Sequence, residues 1–127
     1  MLYLDTSAAA KLLVAEAESA SLNAFLCSAA APLVTSRVGV VELRRVGRKI
    51  SAGADRADAL AATLVVVEVD ETVERVAIDL DPALRTLDAI HLATALSTGD
   101  ALQGFVCYDA RLAAAASDVG LTVLSPS

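Results

Sequence analysis

Histidine, cysteine and aromatic residues are scarce in this chain, and each scarcity removes a class of function. One histidine, His91, and two cysteines, Cys27 and Cys107, among 127 residues cannot build a Cys/His zinc site. A single histidine also excludes RNA cleavage by a paired-histidine acid and base. One thiol falls in a predicted helix and the other in a predicted strand; nothing demands a disulfide framework, so both are read as free. Aromatics are 3% of the chain and apolar residues 56%, so alanine, leucine and valine must pack the core. No apolar stretch approaches the roughly 18–20 residues that span a bilayer. The N-terminus lacks a basic segment leading into an apolar one, and Asp5 interrupts it early; we expect no signal peptide and a cytoplasmic location. Positive charge is short as well. Ten basic residues against 16 acidic ones leave a net charge of −6, which argues against coating nucleic acid through the overall field. A local basic surface beside an acidic pocket is still allowed.

What is present alternates. Leu2 to Leu4 read as a short buried strand, Ser7 to Glu18 as a helix and Ser19 to Ala30 as a second, stopped by Pro32. Leu33 to Thr35 form the next strand, and Ser36 is placed to cap a helix running through Glu42 to about Ile50. Gly53 is read as ending that unit. Asp55 to Thr63 make a helix that flows into the valine-rich run Leu64 to Val69. Asp70 and Glu71 open a helix to about Leu80, broken at Asp81-Pro82, and Thr86 is placed to cap Leu87 to Ser97. Phe105 to Tyr108, Arg111 to Ser117 and Leu121 to Leu124 read as strand, helix and strand. Strands apolar on both faces are those of a parallel sheet covered by helices. The expected fold is α/β, a single-domain open sandwich over 1–127 with a short parallel central sheet. No repeat or low-complexity linker interrupts it.

Four carboxylates punctuate this pattern. Asp5 ends the first strand and Asp109 ends the run Phe105 to Tyr108, while Glu42 and Asp88 lie on largely apolar helix faces. In open parallel sheets ligands bind beyond the carboxyl ends of the strands, and all four acids are compatible with that edge. Buried acids are costly unless something offsets their charge. An oxygen-only site suits Mg²⁺ or Mn²⁺, and the reaction such a site supports is phosphodiester hydrolysis by an activated water. Each acid has a simpler reading too. Asp5 and Asp109 are placed to cap the helices that follow, Glu42 to pair with Arg44 or Arg45, and Asp88 to meet a helix dipole. Apo carboxylates gathered there should repel one another and raise at least one pKa.

Half of the basic residues, Arg37, Arg44, Arg45, Arg48 and Lys49, surround Glu42. Positions 44/48 and 45/49 form two adjacent rows on one helix, either a phosphate-binding rim, with Arg37, Arg44 and Arg48 its proposed contacts, or a solvated face. Lys11, Arg85 and Arg111 are read as surface cations first. His91, one turn after Asp88 on an apolar face, is read as a packed helix histidine before a catalytic base.

At the acids the chain resembles the PIN-domain ribonucleases, in particular VapC-type toxins of toxin–antitoxin pairs. The similarity lies in Leu2-Tyr3-Leu4-Asp5-Thr6-Ser7-Ala8, in Ser36 through Glu42, in Leu87-Asp88-Ala89-Ile90-His91-Leu92-Ala93-Thr94-Ala95, and in Phe105 through Leu112 followed by Gly120 to Leu124. Their order and spacing span nearly the whole chain. The resemblance implies a metal-dependent endoribonuclease acting on a structured cellular RNA, with Asp5, Glu42, Asp88 and Asp109 on the metal. It implies that the Thr6 or Ser7 hydroxyl orients a carboxylate, a water or a phosphate. It also implies a small antitoxin partner and a homodimer, which the alanine- and leucine-rich helices suit. Cys107 stands where the family often carries threonine. A haloacid-dehalogenase-like phosphatase would want an acid at Ser7, and a phospho-accepting receiver domain would want a late lysine that is absent. A PIN-like module that binds without cutting is the remaining alternative.

Overall fold

Five short strands, all parallel, form one sheet in the order β3-β2-β1-β4-β5. The computed structural model describes residues 1–127. In chain order the elements are β1 Leu2–Leu4, α1 Thr6–Leu13, α2 Ser19–Ala29, β2 Leu33–Ser36, α3 Arg37–Gly47, α4 Gly53–Thr63, β3 Val65–Val67, α5 Glu71–Asp79, α6 Thr86–Ser97, β4 Gly104–Val106, α7 Ala110–Asp118 and β5 Val123–Leu124. The strands draw on the full length of the chain, and the expected α/β sandwich is what forms. No helix is long and apolar enough to cross a membrane.

The central strand explains the layering. Side chains alternate faces along a strand, and β1 is buried on both. Leu2 and Leu4 join one core with Ala8 and Leu13 of α1, Leu22 of α2, Leu43 of α3 and Ala57 of α4. Tyr3 points the other way, into a core with Leu92 and Ala95 of α6 and Leu112 and Ala116 of α7. Tyr3 stacks on Phe105 of β4, with ring centroids 5.1 Å apart. Truncating a side chain as enclosed as Leu4 to alanine costs about 2–5 kcal/mol.

The later strands are shorter than the sequence suggests, with β4 ending at Val106, so that Asp109 stands three residues beyond it, and α3 ends at Gly47 rather than near Ile50. Three further boundaries differ for a local reason. The first helix stops at Leu13 rather than Glu18. Lys11 Nζ reaches back to Glu16 and Glu18 at 3.0 and 2.9 Å, and Ser19 Oγ accepts from the Glu16 N–H, so this acidic stretch folds as a turn. Gly53 opens α4 instead of ending the preceding unit. A Cβ on Gly47 would lie 2.6 Å from the Gly53 carbonyl oxygen and 2.8 Å from Ala57 Cβ, so the tight α3–α4 crossing needs a bare backbone. Thr86 is the first residue of α6, not its cap; Arg85 holds the cap position and supplies no capping hydrogen bond, because a guanidinium has no acceptor. Ser36, by contrast, does cap α3, its Oγ accepting from the Val38 N–H at 3.1 Å.

Candidate active site

The carboxyl ends of β1, β2 and β4 meet at one edge of the sheet, and the four acids stand along it. Asp5 follows β1 directly and is 3% exposed. Its Oδ1 accepts from the Ala8 N–H at 2.9 Å, the helix-capping bond. The Ser7 hydroxyl lies 2.7 and 2.8 Å from its two oxygens, and Cys107 Sγ donates to Oδ2 at 3.1 Å. Three donors on a group with roughly four lone-pair positions leave one open. Burial raises the Asp5 pKa against the lowering effect of the Ser7, Ala8 and Cys107 bonds. The expected raised acid is therefore present, but dehydration raises it rather than repulsion from the other acids. Burial, and then the Asp5 charge, push the Cys107 thiol far up.

Glu42 sits on α3 with a quarter of its side chain exposed. Its Oε1 accepts from Thr6 Oγ1 at 2.7 Å and meets His91 Nε2 at 2.6 Å. Burial works to raise its pKa, yet the His91 and Thr6 hydrogen bonds outweigh it and the net direction is down. Asp88 lies in the first turn of α6 and Asp109 caps α7, its Oδ1 accepting from the Arg111 and Leu112 N–H groups, both at 3.0 Å. One guanidinium spans these two acids: Arg85 Nε lies 3.1 Å from Asp88 Oδ2, and Nη2 lies 3.6 Å from Asp109 Oδ2.

Thr6 and Ser7 therefore serve different acids, Glu42 and Asp5. Whether this set fits a divalent cation has two parts. In chemistry it fits: the four acids are hard oxygen donors, and Arg85 already supplies positive charge between two of them. In spacing, no three His, Cys, Asp or Glu side chains are gathered closely enough to hold one ion. A cation shared by all four acids would require them to lie closer together, around the position Arg85 now holds between Asp88 and Asp109.

The basic residues divide differently from the expectation. Arg37 makes a two-toothed bond to Glu68, with Nε 3.1 Å from each carboxylate oxygen. Arg44 pairs with Asp58 of α4 at 3.2 Å. Neither is directed at the acids. Helical phase is the reason: positions 45 and 49 follow 42 at intervals of three and seven and share its stripe, whereas 44 is two residues on and faces elsewhere. Arg45 and Lys49 line a groove with Thr6, Glu42, Val41 and Leu87. Arg48 joins them around an adjoining open recess. The row beside the site is thus 45/49, not 44/48. A separate cleft, between α5 and α6 around Ile78, Leu80 and Ile90, contains none of the four acids.

Three residues named from the sequence gain partners that the sequence does not show. His91 is buried at 2% exposure and holds Glu42 as described, while its Nδ1 meets the Tyr3 hydroxyl at 2.6 Å. The available signal was that a lone histidine on an apolar face needs partners for both ring nitrogens. Arg85 bridges two acids from an exposed position that no periodicity marks. Lys49 needed only the phase of Glu42.

Comparison with known proteins agrees with this fold. The model of the PIN domain matches residues 2–119. Ribonuclease VapC47 of Mycobacterium tuberculosis (strain CDC 1551 / Oshkosh) is 39% identical over 132 residues, covering 99% of this chain and 97% of that protein. Ribonuclease VapC46 of strain ATCC 25618 / H37Rv is 41% identical, covering 99% and 98%. Among solved structures, M. tuberculosis VapC20, a Sarcin-Ricin loop cleaving toxin, superposes with a TM-score of 0.74 at 22% identity, over 99% of this chain and all of that one. VapBC2 from Rickettsia felis, bound to a promoter DNA fragment, gives 0.73 at 13% identity over the full length of both. The chain belongs to the PIN-domain family and groups within it with the VapC ribonucleases.

Proposed function

We propose that this protein is a metal-dependent endoribonuclease, the toxin of a toxin–antitoxin pair, hydrolysing phosphodiester bonds in a structured cellular RNA in the cytoplasm. The observation that supports the reading is the placing of four carboxylates, from four separate segments, along the carboxyl edge of one parallel sheet. Asp5, Glu42, Asp88 and Asp109 would hold Mg²⁺ or Mn²⁺. When bound, such a cation supplies Lewis-acid stabilisation of phosphoryl charge and lowers the pKa of an attacking water. The chain's own residues do the rest. Ser7 and Cys107 hold Asp5. Thr6 and His91 occupy Oε1 of Glu42, which leaves Oε2 for the site. Arg45 and Lys49 offer charge-assisted hydrogen bonds to the RNA backbone beside the acids. Arg85 lies between Asp88 and Asp109 and offsets their charge, as a bound cation would.

A small antitoxin covering the acidic edge and a homodimer complete the proposal. The antitoxin is supported by fold neighbours solved as complexes, among them VapBC2. A binding-only module is the second reading, and the separation of the acids favours it. One experiment divides the two: purified protein is mixed with total cellular RNA in Mg²⁺ or Mn²⁺ and in EDTA, beside Asp5→Asn and Asp88→Asn. Discrete metal-dependent cuts, lost in both variants, support the nuclease. Intact RNA from a folded, metal-loaded protein supports the binding module.

A further inference from the structure

The groove beside Glu42 joins two kinds of side chain that a merely solvated helix face has no reason to combine. Val41, Arg45 and Lys49 recur at helical spacing along α3 and just past its end, and Leu87 of α6 lines the same groove. Val41 is 53% exposed and Leu87 46%. The groove encloses about 450 Å³, within the roughly 300–1,000 Å³ of small-ligand sites.

The cations here are unlike most others in the chain. Lys11, Arg37, Arg44 and Arg85 each hold a carboxylate, as a net charge of −6 makes easy. Arg45, Arg48 and Lys49 form no ion pair, and the three surround one recess that adjoins the groove. The dipole of α3 accounts for cations at its carboxyl end, but not for the exposed apolar pair beside them. Unpaired cations call for an anion, and exposed apolar walls call for a flat apolar cover. A nucleotide carries both, a phosphate and a base with an apolar face. An extended acidic peptide suits the groove less well. The α3 backbone is already hydrogen-bonded within its own helix, so such a peptide gains no main-chain partners there.

We propose that this groove seats one unpaired nucleotide of the RNA, with its base against Val41 and Leu87 and its phosphate on Arg45 and Lys49. The inference rests on the ribonuclease reading above and names the residues that select the strand. A base inside a duplex cannot enter, because its faces are covered by its neighbours in the stack. Arg45 and Lys49 touch phosphate and carry no sequence information, whereas Val41 and Leu87 meet the base and set which strands are held.

Binding is measured in EDTA, so that no strand is cut, by fluorescence anisotropy. The probes are short single-stranded RNAs of A, C or U and an abasic strand of the same length. The wild type should bind at least one base-bearing strand roughly tenfold more tightly than the abasic one. The double variant Val41→Ala/Leu87→Ala should lose that preference at low and high salt alike, because apolar contact is not screened. Arg45→Gln/Lys49→Gln should weaken binding of both kinds of strand. It should also lower the slope of log affinity against log salt by about 0.7, for the one phosphate held. A double alanine variant that keeps the preference overturns the inference. So does a wild type that binds the abasic strand equally well, or binds no strand. An acidic apolar peptide held more tightly than any strand, and lost in the double alanine variant, would assign the groove to a protein partner and overturn it too. Base-dependent binding as described, by a protein that cuts no cellular RNA in Mg²⁺ or Mn²⁺, would overturn the ribonuclease reading and leave the nucleotide seat supported.

Discussion

Replacing Arg85 with glutamine should tighten metal binding. The guanidinium lies 3.1 Å from Asp88 and 3.6 Å from Asp109, so a cation entering there must first break both contacts. Its side chain is 72% exposed, which places each contact among screened surface pairs worth about 0.2–1 kcal/mol. Two such contacts come to about 0.5–2 kcal/mol, or roughly a 2- to 30-fold lower Kd for Mn²⁺ once Arg85 is gone. The metal-free variant should unfold with stability reduced by no more than that amount. Raising the salt to about 1 M, where screening shortens to about 3 Å, should narrow the difference between the two proteins. Calorimetric titration without RNA measures it, since Arg85 is also able to meet phosphate and an activity assay would mix the effects. Weaker Mn²⁺ binding in Arg85→Gln would refute the reasoning, because Arg85 would then support the acids rather than compete for them.

Asp5→Asn should raise the thermal stability of the metal-free protein at neutral pH. Burial raises the Asp5 pKa in the fold, so its ionisation opposes folding: wild type and variant should match below the ordinary aspartate value and diverge as pH climbs through the raised one. Added Mg²⁺ should then stabilise the wild type and not the variant. Native alkylation at pH 8 should modify one thiol, because Cys27 is exposed while Cys107 is buried with its pKa pushed far up; mass spectrometry reading two adducts would contradict this. Arg45→Glu should weaken RNA binding several-fold at low salt while Arg44→Glu does so much less, since only Arg45 shares the Glu42 groove; equal losses by filter binding would restore the other row.

Much of the fold was legible because its cause is local. Leu2 to Leu4 are apolar on both faces, and Ser36 caps the helix it precedes. Such signals need no knowledge of what lies across the sheet. The helix expected over Ser7–Glu18 stops early because Lys11 draws Glu16 and Glu18 back into a turn, a side-chain pairing five and seven residues on that the apolar pattern does not mark. Gly53 read as a stop because its partner, Gly47, acts only once α3 and α4 cross. At the site the acids were marked by their positions after strands and in helix turns. Their partners were not. His91, Tyr3 and Glu42 lie 49 and 88 residues apart along the chain from one another's contacts, and nothing local couples them. Arg37 and Arg44 illustrate the converse, because clustering in sequence suggested a shared role that Glu68 and Asp58 divide.

The proposed activity requires four separated acids to act as one cation site. Mn²⁺ titration of the wild type beside Asp5→Asn, Glu42→Gln, Asp88→Asn and Asp109→Asn tests that directly, with folding checked by circular dichroism. One shared site predicts saturable binding by the wild type and at least a tenfold loss in each variant. Wild-type binding left intact by any two of the four substitutions, or no binding at millimolar Mn²⁺, would contradict it.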